Sequence, residues 1–210
     1  MNGHSLLSIP GRGKTLAKRK GQKYDQIIDA AVKVIAQNGY HHSQVSKIAK
    51  EAGVADGTIY LYFKNKEDIL VSLFEEKMGK FIQKIEEELA GESSIEAKLL
   101  ILITMHLMQL QKDHSLAIVT QLELRQSNIE LRNRINEVLK GYLKLIDTII
   151  LLGIEKGVFK EDLDVRITRQ MIFGTIDEVV TDWVMKEQKY DLVQLCEPVH
   201  TMLLNAMRRS

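Results

Sequence analysis

Residues that interrupt helices are scarce in this sequence. Only 2 prolines and 13 glycines occur among 210 residues, so long helices can run without a forced break. Cysteine is scarcer still. Cys196 stands alone, which excludes an internal disulfide and a thiolate zinc cluster and suits a reducing, cytoplasmic setting. Aromatics reach only 6%, and the apolar content leans on Leu, Ile and Met, which favour helix over strand. Long apolar runs are missing as well. The best stretch, residues 143–154, is broken by Lys144 and Asp147 and is too short to span a bilayer. Near the start, Leu6, Leu7, Ile9 and Pro10 make too short an apolar segment for a signal peptide.

Hydrophobic residues make up 45% of the chain and charged ones 27%, so the expectation is a globular, all-α protein. A net charge of +1 hides an asymmetry. Residues 1–68 hold 11 Lys/Arg against 6 Asp/Glu, and residues 69–210 hold 18 against 22. No acid precedes Asp25, whereas Arg12, Lys14, Lys18, Arg19, Lys20 and Lys23 do. A basic head on an acidic body suits a polyanionic partner.

Apolar periodicity predicts a helix through Ile27, Ile28, Ala31, Val32, Val34 and Ile35 that ends at Asn38-Gly39. Ser43 is expected to cap a short helix through Val45, Ile48 and Ala49, stopping at Gly53. A second short helix starts near Asp56 and carries Thr58 through Tyr62, and a long amphipathic helix follows over 67–89. Five more are expected, at 95–111, 114–127, 129–156, 164–188 and 191–208. The reading divides the chain into a basic arm (1–21), a DNA-binding head (22–68) and a ligand-binding and dimerisation body (69–210).

Two short helices around a tight turn at Gly53 make a helix-turn-helix. Ala49 and Ala52 are small enough for a close crossing, Gly53 supplies a left-handed turn, and Ile48, Val54 and Ile59 plug the underside. The outward face then presents Asp56, Gly57, Thr58, Tyr60 and Tyr62, hydroxyls and bare backbone sized for a major groove. Tyr60 and Tyr62 read alternatively as core aromatics, but Ile59 and Phe63 already occupy the inward positions. The blocks Ile48-Ala-Lys-Glu-Ala-Gly-Val54, Gly57-Thr-Ile-Tyr60, Tyr62-Phe63 and Lys66-Glu-Asp-Ile-Leu70 resemble the signature of the TetR family of repressors. That resemblance implies phosphate contacts from Thr58, Tyr60, Tyr62 and Lys66, with Lys64 beside them, and base-edge contacts near Asp56 and Gly57. Relatives often carry a threonine pair where this chain has Gln44-Val45. The cap and phosphate contact there then fall to Ser43 or Ser46, alongside Gln44.

In the body, Ile167 to Val184 is apolar over more than one helical face, so helix 164–188 is expected to be buried on two sides. The family resemblance implies a homodimer built from the last two helices. Seven of the 8 methionines lie beyond residue 77, either to host a flexible apolar ligand or as plain core filler. Along helix 114–127, Ile118, Leu122 and Ile129 are read as the inner face, with Arg125 on the same stripe, needing a carboxylate or an anionic ligand as partner. His106 sits in an apolar run, as a satisfied core histidine or a ligand contact. The stretches Ile118–Asn128, Glu137–Leu143, Arg169–Glu178 and Gln188–Leu192 resemble, within the TetR family, the regulators of fatty-acid degradation. This implies repression of β-oxidation genes relieved by long-chain acyl-CoA, a ligand matched to an aliphatic interior approached by Arg125, Arg132, Arg134 and Arg169. The expected ligand contacts are Ile103, His106, Leu107, Gln121, Arg125, Arg132, Met171, Phe173, Thr175 and Trp183.

Enzymatic readings find little support. Gly11-Arg-Gly-Lys-Thr15 resembles the end of a phosphate loop, but Ser8 stands where the first glycine belongs and no strand precedes it. Glu197-x-x-His200 has the spacing of half a di-iron site without its second half. His41-His42 are adjacent in a loop, and no G-x-S-x-G occurs. No catalytic residue, metal site or cofactor is expected. The sequence also admits two other readings: a repressor of an efflux or other metabolic operon sensing a different hydrophobic ligand, and an architectural DNA-binding protein with a closed body.

Overall fold

The computed structural model describes residues 21–209, so the expected arm (Gly21 apart) and the Gly11–Thr15 stretch lie outside the described residues. Nine α-helices and one 3-10 turn occur among them, and no strand. The head comprises α1 (Gln22–His42), α2 (Val45–Glu51) and α3 (Asp56–Ile59). The body comprises α4 (Lys66–Ala90), α5 (Ile95–Lys112), α6 (His114–Glu123), α7 (Ile129–Glu155), α8 (Val165–Met185) and, after a 3-10 turn at Leu192–Leu195, α9 (Cys196–Met207).

Most of these helices begin where a short polar side chain can satisfy a free backbone N–H. Asn65 accepts from the Asp68 amide, Ser94 from Ala97, Asp113 from Leu116, Asn128 from Leu131 and Asp164 from Ile167. The head departs from this rule. Ser43, expected to cap α2, is buried and donates its hydroxyl to the carbonyls of Val34 (3.1 Å) and Gly39 (2.7 Å). It ties down the end of α1, and α2 starts after Gln44 with no side-chain cap.

Gly39 breaks the ladder of α1 at φ 71, ψ 156, a conformation that only glycine adopts cheaply. α6 stops four residues short of the expected end, at Glu123, and α8 stops at Met185, where Glu187 and Gln188 turn the chain with positive φ. The expected inner face of α6 was also wrong. Leu122 and Ile129 are exposed, and the buried stripe is Leu116, Ala117, Val119, Gln121 and Leu124. Leu122 lies within α6 on its solvent side, and beyond Glu123 the register carried through Arg125 to Ile129 no longer belongs to the helix.

α4 packs on α1 at one end and along α7 beyond, α6 lies across α1, α7 and α8 pack together, and α5 lies against α9. The head core gathers Tyr24, Ile27, Ile35, Ile48, Ile59 and Phe63 onto Leu70, Leu73 and Phe74 of α4. In the body, Leu99, Leu102 and Ile103 of α5 meet Ile146 and Ile150 of α7 and Ile172, Ile176 and Val180 of α8. Past α7, Gly157 (φ 68) reverses the chain and the Phe159 amide donates back to the Gly153 carbonyl at 3.0 Å. The Phe159 ring then covers Gly153 so closely that a Cβ there would lie 2.1 Å from a ring carbon.

Gly153→Ala is therefore expected to lower stability by about 1–3 kcal/mol through overpacking. Gly79→Ala, at an open position of α4, should raise it by about 0.5–1 kcal/mol through helix propensity alone. Urea unfolding of both variants tests the pair of signs.

Candidate nucleic-acid interface and ligand pocket

The turn between α2 and α3 closes through Gly53 (φ 66), with the Val54 amide donating to the Ala49 carbonyl at 3.0 Å. Ile48, Ala49 and Ile59 are fully buried beneath it. The opposite surface presents Gln44, Ser46, Asp56, Gly57, Tyr60 and Lys64 exposed, and Thr58 and Tyr62 half-buried. Tyr60 is 59% exposed, which removes the core-aromatic reading, while Tyr62 leans on Tyr24 with ring centroids 6.3 Å apart. Leu61, which sequence reasoning passed over, is 78% exposed between the two tyrosines. Ser43 takes no part in this surface. Lys66 is held at its edge, its ammonium donating to the carbonyls of Tyr40 and His41 (3.0 Å each) and lying 4.6 Å above the Tyr40 ring. A cation at the end of α1 is favoured by the carbonyls that gather there.

Inside the body, α4, α5, α6, α7 and α8 line a narrow, partly open pocket with a cavity volume of about 60 Å³. Met78, Phe81, Leu110, Leu116, Leu124, Leu139 and Phe173 make its wall apolar. His106 and Tyr142 form a polar spot within it. The His106 Nδ1 lies 2.8 Å from the Tyr142 hydroxyl, and Phe81 meets both rings, edge-on to His106 and stacked on Tyr142. Burial in this apolar setting pulls the His106 pKa down to about 4, so the ring is neutral at pH 7, and pushes that of Tyr142 up. On the α6–α8 side, Gln121 and Asp177 line the wall. Asp177 is buried and ion-paired with Arg125, and the Gln121 side-chain amide N–H donates to the Thr181 hydroxyl at 2.8 Å.

Comparison with known proteins gives the arrangement a lineage. Residues 27–73 match the family described as "Bacterial regulatory proteins, tetR family", and residues 74–206 match "YsiA-like protein, C-terminal region". The chain is 64% identical over 190 residues to the fatty acid metabolism regulator protein of Bacillus subtilis, covering 90% of this chain and 98% of that one. The chain belongs to the TetR family. Two solved structures of relatives superpose closely. The fatty acid degradation regulator FadR from Bacillus halodurans gives a TM-score of 0.86 at 65% identity, covering 88% of this chain and 100% of that one. FadR from Bacillus subtilis, solved in complex with stearoyl-CoA, gives 0.85 at 66% identity, covering 86% and 97%.

Against this TetR-family frame, the expected ligand residues separate into groups. His106, Gln121 and Phe173 line the pocket. Ile103 and Leu107 are buried in the core beside it, and Trp183 is buried with its indole N–H donated to the Tyr190 carbonyl at 2.7 Å. Met171 and Thr175 lie on another face of α8, along a shallow groove with Gly174 and Glu178. None of the four expected arginines is among the described residues that line the pocket. Arg125 pairs with Asp177, Arg134 with Asp68, and Arg169 with Asp147, while Arg132 donates to the Gln126 carbonyl. Phe81, Tyr142, Asp177 and Lys77 were not anticipated. The α4 spacing of Met78, Phe81 and Ile85 was the one available signal, since the other three depend on contacts between distant helices.

Head and pocket share parts. Because Gly39 interrupts α1, the Tyr40 amide is released from the helix and donates to the Glu123 carboxylate of α6 at 2.7 Å, while the Tyr40 carbonyl accepts from Lys66 of α4. One residue of the head is thus gripped from both sides by helices whose other residues line the pocket.

His106 also makes stability pH-dependent. Its folded pKa of about 4 lies below the ordinary value near 6.5, so between these limits the unfolded chain binds the extra proton. The stability it contributes is complete above pH 6.5 and falls away as pH drops towards 4. His106→Asn should flatten this part of the stability profile, measured by urea unfolding between pH 7 and pH 4.

Proposed function

We propose that the protein represses fatty-acid-degradation genes by binding operator DNA as a homodimer, and that long-chain acyl-CoA in the α4–α8 pocket releases it. The apolar pocket carries this reading. Its wall suits an alkyl chain, and a relative 66% identical was solved with stearoyl-CoA. Dimerisation through α8 and α9 is supported by the apolar side chains they leave uncovered: Ile167 (59% exposed), Met185 (68%) and Met202 (56%), with Met171 and Val179 between them. A two-fold dimer would set two copies of α3 on a palindromic site.

At the DNA, Gln44, Ser46, Thr58, Tyr60, Tyr62 and Lys64 are assigned to the phosphate backbone, and Asp56 and Gly57 to the base edges. Lys66 sits at the amino end of α4, and its ammonium holds α1 in place beside the phosphates. Tyr60→Phe removes one exposed hydroxyl. It should weaken operator binding by about 1 kcal/mol and leave the melting temperature unchanged. A fall in melting temperature would return Tyr60 to a structural role.

Release requires acyl-CoA to favour a dimer whose recognition helices no longer fit the operator. Linkage then demands that operator DNA weaken acyl-CoA binding by the same factor by which acyl-CoA weakens operator binding. Titrating stearoyl-CoA by calorimetry with and without operator measures this. Equal affinities in the two titrations exclude induction by this ligand.

A further inference from the structure

We propose that Lys77 carries the signal from the occupied pocket to the DNA-binding head, an anionic group of the ligand competing with Asp29 of α1 for its ammonium; the inference rests on the acyl-CoA reading above. Of the described side chains that line the pocket, Lys77 alone is cationic, because the His106 ring is neutral. Asp177 alone is anionic, and Arg125 already matches it. The wall therefore holds one positive charge whose partner is not itself in the wall. That partner belongs to the head: the Lys77 Nζ lies 2.6 Å from the Asp29 carboxylate.

The pair is the inner rung of two. One turn along α4, Lys80 faces Asp25 of α1 at 3.8 Å. Together they tie α1, which anchors α2 and α3, to the helix that forms one side of the pocket. Asp29 is 61% exposed and Lys77 only 26%, so the cation is fixed and the carboxylate can be replaced from solvent. A phosphate, carrying more charge than a carboxylate, is the stronger partner for an ammonium. When it takes Lys77, α1 loses its inner rung, and operator binding must then supply the ordering of the head. DNA affinity falls for that reason. Induction on this account needs no large movement of the body.

The pair is partly solvated, so its removal is worth about two- to five-fold in an equilibrium constant. Asp29→Asn imitates the liganded state. It should weaken operator binding, tighten stearoyl-CoA binding without DNA, and shrink the ratio of stearoyl-CoA dissociation constants with and without operator, each by that factor. Lys77→Gln should weaken stearoyl-CoA binding and shrink the same ratio. Lys84→Gln removes a lysine of α4 that faces no acid of the head, and should leave the ratio unchanged. Stearoyl-pantetheine, which lacks the phosphates of the CoA head group, should bind wild type and Asp29→Asn equally. If wild type binds stearoyl-CoA but Asp29→Asn changes neither affinity nor ratio, the competition is refuted and the acyl-CoA reading stands. If wild type binds no stearoyl-CoA, both fall.

Discussion

A single helix, α4, is shared by the two halves of the molecule, and that sharing is the constraint on which the rest depends. Its first turn lies beside the helix-turn-helix, its middle closes one side of the pocket, and its far end joins the body core. Met78 and Phe81 of the pocket wall and Lys66 at the head therefore stand on one continuous helix. α1 is attached to α4 by buried apolar contacts near Tyr24 and Phe74 and by the ion pairs at Lys77 and Lys80. The apolar part is buried, and the ionic part is the contact proposed to yield to a second anion.

Charge placement explains why the pocket can be both apolar and responsive. A buried carboxylate without a partner would be costly, and Asp177 avoids that cost through Arg125. His106 avoids it by losing its proton and bonding to Tyr142. Lys77 reaches the same end by pairing outside the cavity, so its balance depends on where the head lies. Arg134 and Arg169 pair with Asp68 and Asp147 and so tie α7 to α4 and α8, while Arg132 donates to the Gln126 carbonyl in the loop before α7.

Much of the fold was legible because its signals are local. Caps at Asn65, Ser94, Asp113, Asn128 and Asp164 act within one helical turn, so their helices start where the residues say. Gly39, Gly53 and Gly157 mark positions where the backbone needs a positive φ. Errors arose where a local signal met a distant competitor. Ser43 looks like a cap by its spacing, yet the end of α1 offers its hydroxyl two buried carbonyls. The face of α6 is not legible from periodicity, because the helix ends at Glu123 and its apolar residues split between a buried side at Leu116 and Val119 and an exposed Leu122.

What the sequence determined by itself is the helix-turn-helix, the all-helical class and the resemblance to regulators of fatty-acid degradation. These rest on short-range patterns and on contiguous motifs such as Gly57 to Tyr60. Tertiary structure alone decided which groups face the cavity. Lys77 meets Asp29 across 48 positions, Arg125 meets Asp177 across 52, and His106 meets Tyr142 across 36. Pairing over such separations is set by how amphipathic helices stack around a shared core, and helical periodicity reports only that each residue has a face, never which distant face it will meet.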